Sequence, residues 1–223
     1  MNRIDVYEIK EDITSRNNEQ AKDIKKDLKA RKCFLLNVMS SPGSGKTTLL
    51  TRIINALKNK YRIGVIEADI DSKVDAETIA SLTGVKTIQM HTGGACHITC
   101  QMSAEALTAL GIDDLDLVIL ENIGNLVCPA EFDTGSNLNL VLLSVPEGDD
   151  KPLKYPLMFE VASAVAVTKK DVLPIFDFDF EKFKENVHKR NKGIPIFYLS
   201  ALKNEGVDEL ISYLEKEIDK VVK

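Results

Sequence analysis

Ser40-Ser41-Pro42-Gly43-Ser44-Gly45-Lys46-Thr47-Thr48 decides how this chain folds. It follows a strand-like run, Cys33-Phe34-Leu35-Leu36-Asn37-Val38-Met39, and leads directly into a helix-like one, Leu49-Leu50-Thr51-Arg52-Ile53-Ile54-Asn55-Ala56-Leu57. Strand, glycine-rich turn, Lys-Thr and helix, in that order, make a phosphate-binding P-loop in the context it requires. Gly43 and Gly45 let the backbone curl around an anion with its N–H groups inward, and the helix start adds a partial positive charge. Ser44 and Thr48 complete the cradle. Lys46 can reach the β and γ phosphates, and the Thr47 hydroxyl can ligate Mg²⁺. One position departs from G-x-x-x-x-G-K-[ST]: its first glycine is Ser40 here. A chance glycine turn would not bring matching flanks on both sides, so the run implies a nucleoside triphosphate site.

The rest of the composition narrows the class. The chain has 223 residues, enough for one α/β domain with a small appendage and a full core. A formal net charge of −5 argues against a nucleic-acid backbone as the main partner. No apolar run approaches the roughly 20 residues of a membrane span, and Met1-Asn2-Arg3-Ile4-Asp5-Val6 lacks the apolar core of a signal peptide. Without a secretory signal, the four cysteines read as thiols or metal ligands, not disulfides. A cytoplasmic enzyme is expected, without nucleic-acid or membrane partners.

Working outward from the P-loop, short apolar runs alternate with helical patterns, as a parallel sheet with crossover helices requires. Strands are expected over 33–39, 62–68, 86–90, 116–121, 138–145, 163–168 and 194–199. Val118-Ile119-Leu120, Leu140-Val141-Leu142-Leu143 and Val165-Ala166-Val167 are near-continuous apolar runs, typical of strands buried on both faces. Helices are expected over 46–60, 74–83, 98–110, 180–190 and 206–221, the last showing the stripe Val207, Leu210, Ile211, Leu214, Ile218. Residues 18–30 look helical but are mostly charged, and are expected to form an appended helix outside the sheet. The organisation is then an N-terminal extension, 1–30, and a P-loop domain, 31–223, with a mostly parallel sheet of about seven strands flanked by helices.

The nucleotide base is addressed by Val165-Ala166-Val167-Thr168-Lys169-Lys170-Asp171 at the end of a buried strand. Lys169 and Asp171 match the guanine motif N-K-x-D, with Thr168 in place of Asn. Asp171 can accept from guanine N1–H and its 2-amino group, a donor pair that adenine lacks. The stem of Lys169 can lie over the base. Ser200-Ala201, after another strand, resembles the S-A-K loop whose backbone N–H contacts the guanine carbonyl. A lone T-K-K-D could be a surface charge cluster; placed between the P-loop and Ser200-Ala201, it points to GTP.

Groups that sense Mg²⁺ and the γ-phosphate belong at the ends of strands beside the P-loop. Ile66-Glu67-Ala68-Asp69 ends one such strand, and Leu120-Glu121-Asn122-Ile123-Gly124 ends another. Glu121-x-x-Gly124 resembles the D-x-x-G switch, with Glu121 holding Mg²⁺ directly or through water and the Gly124 N–H facing the γ-phosphate. Asp69 and Asp75 are further Mg²⁺ candidates, and Lys46, Thr47, Asp75 and Glu121 are the expected catalytic set. For Asp71 and Asp75, helix capping and loop solvation are the competing roles. Asn125 stands where faster signalling GTPases carry a water-positioning Gln, and no arginine finger is evident. Unassisted turnover is therefore expected on the order of 10⁻⁴ to 10⁻² s⁻¹.

Three of the four cysteines and one of three histidines fall in two short pieces, Gly93-Gly94-Ala95-Cys96-His97-Ile98-Thr99-Cys100 and Asn125-Leu126-Val127-Cys128-Pro129. Thiolate and imidazole suit Zn²⁺ and Ni²⁺. Cys96, His97 and Cys128 supply three ligands, leaving a position open or to be filled by a second subunit. A helix there would put Cys100 on one face with Cys96. Small buried side chains near a loop are the alternative, and Cys33, inside a strand run, belongs to it. His91 and His188 read as structural or surface residues.

Taken together, residues 40–50, Thr92-Gly93-Gly94-Ala95-Cys96-His97 and Glu121-Asn122-Ile123-Gly124-Asn125-Leu126-Val127-Cys128-Pro129-Ala130 resemble the hydrogenase nickel-insertion GTPases, accessory proteins that mature [NiFe]-hydrogenases. The resemblance runs from about residue 18 to the carboxyl end, and the switch followed by Asn-Leu-Val-Cys-Pro is its most specific piece. It implies a SIMIBI-class (signal-recognition-particle and MinD-like) G domain that dimerises on binding GTP, with a Ni²⁺ or Zn²⁺ site at the dimer interface carried by Cys96, His97 and Cys128. It implies that Asp69, Asp75 and Glu121 match carboxylates of the Mg²⁺ and switch region. It also implies a second nickel-binding maturation factor and the hydrogenase large subunit as partners. The amino-terminal cysteine motif and histidine-rich stretch of some members are missing, since residues 1–30 contain neither Cys nor His. Three rivals differ in what they require. A urease-type nickel GTPase carries Cys-Pro-His where this chain has Cys96-His97. A signalling GTPase with structural zinc needs a closed four-ligand site, and a small-molecule kinase should show ATP preference and a basic lid.

Overall fold

A computed structural model describes residues 9–223, with side chains from residue 15 onward. The first eight residues of the expected N-terminal extension, including the stretch read for a signal peptide, lie outside the described residues. Helix α1 (Ile9–Arg31) precedes β1 (Phe34–Ser40), α2 (Lys46–Leu57), β2 (Ile63–Asp69), α3 (Val74–Thr83), β3 (Lys86–His91), α4 (Cys100–Leu110) and β4 (Leu117–Glu121). Then come β5 (Leu138–Ser144), α5 (Lys151–Lys154), α6 (Pro156–Glu160), β6 (Ala164–Thr168), α7 (Phe180–Arg190), β7 (Ile196–Tyr198) and α8 (Val207–Val222).

The seven strands form one parallel sheet in the order β3-β2-β4-β1-β5-β6-β7. Every connection therefore crosses over, and the expected parallel architecture is what the apolar runs build. On one face α2 and α8 bury Leu49, Ile53, Leu210 and Leu214 against Leu36, Val38 and Leu140. On the other face lie two clusters. Met158, Phe159, Phe183 and Val187 pack on Met39, Val141 and Val165, and Leu28, Leu107 and Leu110 pack on Leu35, Ile66 and Val118. β1 lies between β4 and β5, neither of which follows it directly in the chain: the connection from β1 runs to β2 on one side, and the connection from β4 to β5 crosses to the other. The P-loop therefore leaves the sheet where crossovers diverge, the usual crevice for a ligand.

Strand ends shift by a residue or two from the expected limits, but three differences have physical content. First, α1 is longer than 18–30, and although it lies outside the sheet it docks on one face of it: Leu28 and Ala21 are buried. Asn17 fastens it to the domain by donating to the Asp133 carbonyl at 2.8 Å and accepting from the Cys100 N–H at 2.8 Å. Its charges form the outer face of a docked helix. Second, α4 begins at Cys100, not 98, because Thr99 accepts from the Met102 N–H at 3.3 Å and caps the helix there. Cys96 is therefore in a loop, and the expected common helical face of Cys96 and Cys100 does not form. Third, α5 and α6 went unseen in the sequence because helices of four and five residues, each opened by a proline at its first or second position, show no periodicity. Among the described residues no helix is long and apolar enough to cross a membrane.

Candidate functional site

The P-loop takes the shape its glycines permit. Gly43 and Gly45 have φ of +74° and +93°, a left-handed region that side-chain-bearing residues rarely adopt. The departure at Ser40 has a structural use. Its buried hydroxyl accepts from Ser44 Oγ at 2.7 Å and from Lys46 Nζ at 3.0 Å. Ser41 reaches Glu147, whose other oxygen accepts from the Ser144 N–H and hydroxyl at 2.6 and 2.7 Å, tying the loop to the end of β5.

Beside the loop lies a cavity of about 630 Å³, lined among others by Gly43, Lys46, Thr47, Asp69, Asp75, Glu121 and Gly124. Thr47 Oγ1 donates to Asp75 Oδ1 at 3.0 Å, and Lys46 Nζ is 3.8 Å from Glu121 Oε1. Asp69 faces the same cavity, but its Oδ1 accepts the Asp71 and Ser72 N–H groups at 3.0 and 2.7 Å, which hold its carboxyl below the ordinary range. Asp71 does not line the cavity.

Sequence reasoning missed Glu67. The β2–β4 register sets Glu67 directly opposite Glu121, and both side chains are buried. Burial first, and the neighbouring Glu121 second, push the Glu67 carboxyl well up, and its side chain hydrogen-bonds Glu121. Burial also raises Glu121, while the Lys46 ammonium pulls it back toward ionisation. Glu67 Oε1 and Glu121 Oε2 find no protein partner. Orphaned buried carboxyl oxygens facing a phosphate cavity are what a divalent cation or its water shell satisfies, so these residues fit Mg²⁺. The available signal was a carboxylate inside an apolar strand run, two residues before Asp69 and on the same strand face.

A second cavity, about 290 Å³, adjoins the first and is lined by Thr48, Thr168, Lys169, Asp171, Ala201 and Leu202 among others. Thr168 does not reach the cavity with a carboxamide. Its buried hydroxyl instead donates to the Ser44 carbonyl at 2.6 Å, anchoring the P-loop to β6. Lys169 adopts φ +58° and donates to the Gly43 carbonyl at 2.6 Å, so its stem spans the boundary between the two cavities. The Ser200 hydroxyl hydrogen-bonds the Asp171 carboxyl and lowers its pKa, keeping it an acceptor. Arg52 Nε donates to the Ala201 carbonyl at 3.2 Å and steadies that loop.

The segment that follows β4 rests on a largely buried amide ladder. Asn122 Nδ2 donates to Asn37 Oδ1 at 3.1 Å, and Asn37 Nδ2 donates to Asn139 Oδ1 at 2.9 Å. Gly124 presses on the P-loop: a Cβ there would stand 3.0 Å from Pro42 Cγ. A few residues on, Cys128 meets Cys96, and this thiol contact is the first cause raising the Cys96 pKa. Cys96 is exposed and Cys128 half-buried. Cys96 Sγ is 3.8 Å from His97 Nδ1, while the His97 ring stacks on Phe132 at 3.9 Å. Burial lowers the His97 pKa, favouring the neutral imidazole a metal requires. Among the described residues no three His, Cys, Asp or Glu side chains gather as a metal cage. Cys33 and Cys100 are buried, with pKa values pushed by burial to about 12 and about 11. His91 is exposed, and His188 Nε2 lies 3.2 Å from the Ile194 carbonyl.

Comparison with known proteins places this geometry. The family model described as CobW/HypB/UreG, nucleotide-binding domain, matches residues 34–198. The chain is 43% identical over 212 residues to the hydrogenase maturation factor HypB of Escherichia coli (strain K12), covering 95% of this chain and 73% of that protein. It is 39% identical over 209 residues to the hydrogenase/urease maturation factor HypB of Helicobacter hepaticus (strain ATCC 51449 / 3B1), covering 92% and 85%. The crystal structure of HypB from Helicobacter pylori in complex with nickel is similar at a TM-score of 0.84 and 38% identity, over 92% of this chain and 97% of that one. A signal recognition particle receptor FtsY from Elizabethkingia anophelis, covering 93% of this chain and 73% of that one, shares the fold alone, at a TM-score of 0.56 and 14% identity. With P-loop, switch and thiol pair in this arrangement, the chain belongs to the CobW/HypB/UreG family and, within it, to the HypB hydrogenase maturation factors.

Proposed function

We propose that this chain is a GTP-hydrolysing metallochaperone that delivers nickel to [NiFe]-hydrogenase, using a metal site that two GTP-bound copies share. One observation carries the reading: a single unbroken segment runs from Glu121, in the phosphate cavity, to Cys128, in contact with Cys96. The cargo ion and the nucleotide thus touch opposite ends of one short stretch. That the Helicobacter pylori relative was crystallised in complex with nickel supports the cargo.

Asp171 and the Ser200-Ala201 loop select guanine, with Lys169 alongside. Gly43, Ser44, Gly45, Lys46 and Thr48 cradle the phosphates. Thr47, Asp75 and Glu121, with Asp69 and Glu67 behind them, would hold Mg²⁺, whose chemistry is to neutralise charge on the transferring phosphoryl group. Lys46 and the Gly124 N–H stabilise the γ-phosphate, and Asp75 orients the water that displaces it. Because Asn125 replaces a water-positioning Gln, turnover is slow and the protein acts as a timer. The γ-phosphate draws in Glu121–Gly124, shifts Cys128, and presents Cys96 and His97 to a second copy; hydrolysis reverses this and frees the ion. The recipients are a second nickel-binding maturation factor and the hydrogenase large subunit, in the cytoplasm.

The test is Ni²⁺ and Zn²⁺ affinity measured together with oligomeric mass in GDP, in a non-hydrolysable GTP analogue and in the matching ATP analogue. A dimer and a metal site that both strengthen only with the GTP analogue support the reading. Mass and metal content indifferent to nucleotide overturn it.

A further inference from the structure

Asn125 touches all three parts that the proposed switch must join. Its backbone N–H donates to the Ser40 carbonyl at 2.8 Å, at the root of the P-loop. Its side-chain Oδ1 accepts from the Val127 N–H at 2.8 Å, one residue before Cys128. Its Nδ2 donates to the Cys96 carbonyl at 3.4 Å. Cys96 is 29 positions away in the chain, so this bond is a tertiary tie between the two thiol-bearing segments. Gly124, immediately before it, packs tightly on Pro42, where a Cβ would stand 3.0 Å from Pro42 Cγ and 3.2 Å from its backbone N, so Asn125 directly follows a close contact with the P-loop.

We propose that the Asn125 carboxamide is the positioning residue that transmits nucleotide state to the Cys96–Cys128 pair. The proposal rests on the reading above that metal and nucleotide binding are linked. The two side-chain bonds differ in character. The bond to Val127 is short and local, and moves with the switch. The bond to Cys96 is at the long limit for N–H···O, so a displacement of a few tenths of an ångström makes or breaks it. A carboxamide held firmly at its oxygen and loosely at its nitrogen can hold or release the Cys96 loop while its tie to the Val127 segment persists, as a coupling element requires. The Gln found here in faster GTPases would carry its amide one methylene further out, beyond this pair of contacts. In this chain the position serves the metal loop and not the attacking water.

The experiment compares wild-type protein with Asn125→Ala and Asn125→Asp. Zn²⁺ and Ni²⁺ affinities are read by competition with a chromogenic chelator in GDP and in a non-hydrolysable GTP analogue. The quantity of interest is the ratio of metal affinities in the two nucleotides, which a merely structural role leaves alone. Wild type should show a ratio of about five- to 150-fold, the range of ordinary coupling energies. Asn125→Ala should bring it below about twofold. Asn125→Asp retains the acceptor for Val127 but loses the donor to Cys96, and should lose the ratio equally. The thiolate-to-Ni²⁺ absorption band in GDP reports that the site itself survives. A wild-type ratio well above one that both variants retain overturns the role of Asn125 and leaves the linked-site reading standing. A wild-type ratio of one overturns both.

Discussion

Thr168→Val removes the hydroxyl that fastens the P-loop to β6 while keeping shape and volume almost unchanged. In the native protein that hydroxyl is buried and donates to the Ser44 carbonyl at 2.6 Å, and Ser44 is itself buried. The substitution leaves a buried acceptor without this donor, an effect of roughly 1–3 kcal/mol. For a chain of this size each kcal/mol lowers Tm by about 2–4 °C, so the variant should melt about 2–12 °C lower. The same energy bounds the functional effect. A nucleotide binds the one loop geometry the bond enforces, and re-forming it on binding weakens GDP affinity by at most about five- to 150-fold. Thr168→Ser is the control. It retains the donor and loses one buried methyl, so it should lose about 1 kcal/mol of stability and bind GDP within about twofold of wild type. Urea unfolding followed by circular dichroism, with titration of a fluorescent GDP analogue, reads both quantities. If Thr168→Val unfolds and binds GDP like wild type, the hydroxyl does not hold the loop and the account of the missing Asn is wrong.

Two further outcomes follow from the same geometry. Asp116 accepts from Arg62 Nε and Nη2 and from its backbone N–H, at 3.0, 2.8 and 2.8 Å, so its pKa lies below the ordinary 3.8. A depressed carboxyl contributes stability above its unfolded pKa and loses it as pH falls through the folded one. The stability gap between wild type and Asp116→Asn should therefore be full at neutral pH and close below about pH 3.8; a gap that persists at pH 2 would refute the pairing. In alkylation of the native protein, exposed Cys96 should react first and Cys128 next. Cys33 and Cys100 stay unmodified, since a pKa of about 12 against the ordinary 9.0 cuts the Cys33 thiolate fraction roughly 10³-fold. Removing metal with a chelator should speed Cys96 and Cys128 only. Equal labelling of Cys33 and Cys96 would show the burial to be wrong.

What was local in the chain was legible in it. The P-loop at 40–48, the apolar runs of β4, β5 and β6, and the amphipathic stripe of α8 each depend on near neighbours and a fixed period. They announce a parallel sheet with a phosphate crevice before any contact is known. The thiols at 96 and 128 and the carboxylates at 69, 75 and 121 were visible as residue types at strand and loop ends. What they meet was not visible, because pairing across the sheet depends on register, and register is set by the whole core. Only the tertiary structure places Glu67 against Glu121, turns Thr168 from base recognition to holding Ser44, and buries Cys100 beneath α1. The same packing brings the Cys96 loop to Cys128 and stretches Asn125 between them. The sequence by itself determined the fold, the phosphate cradle and the supply of thiols and carboxylates at strand and loop ends. Long-range packing alone decided which of those groups share a buried face, a hydrogen bond or a contact.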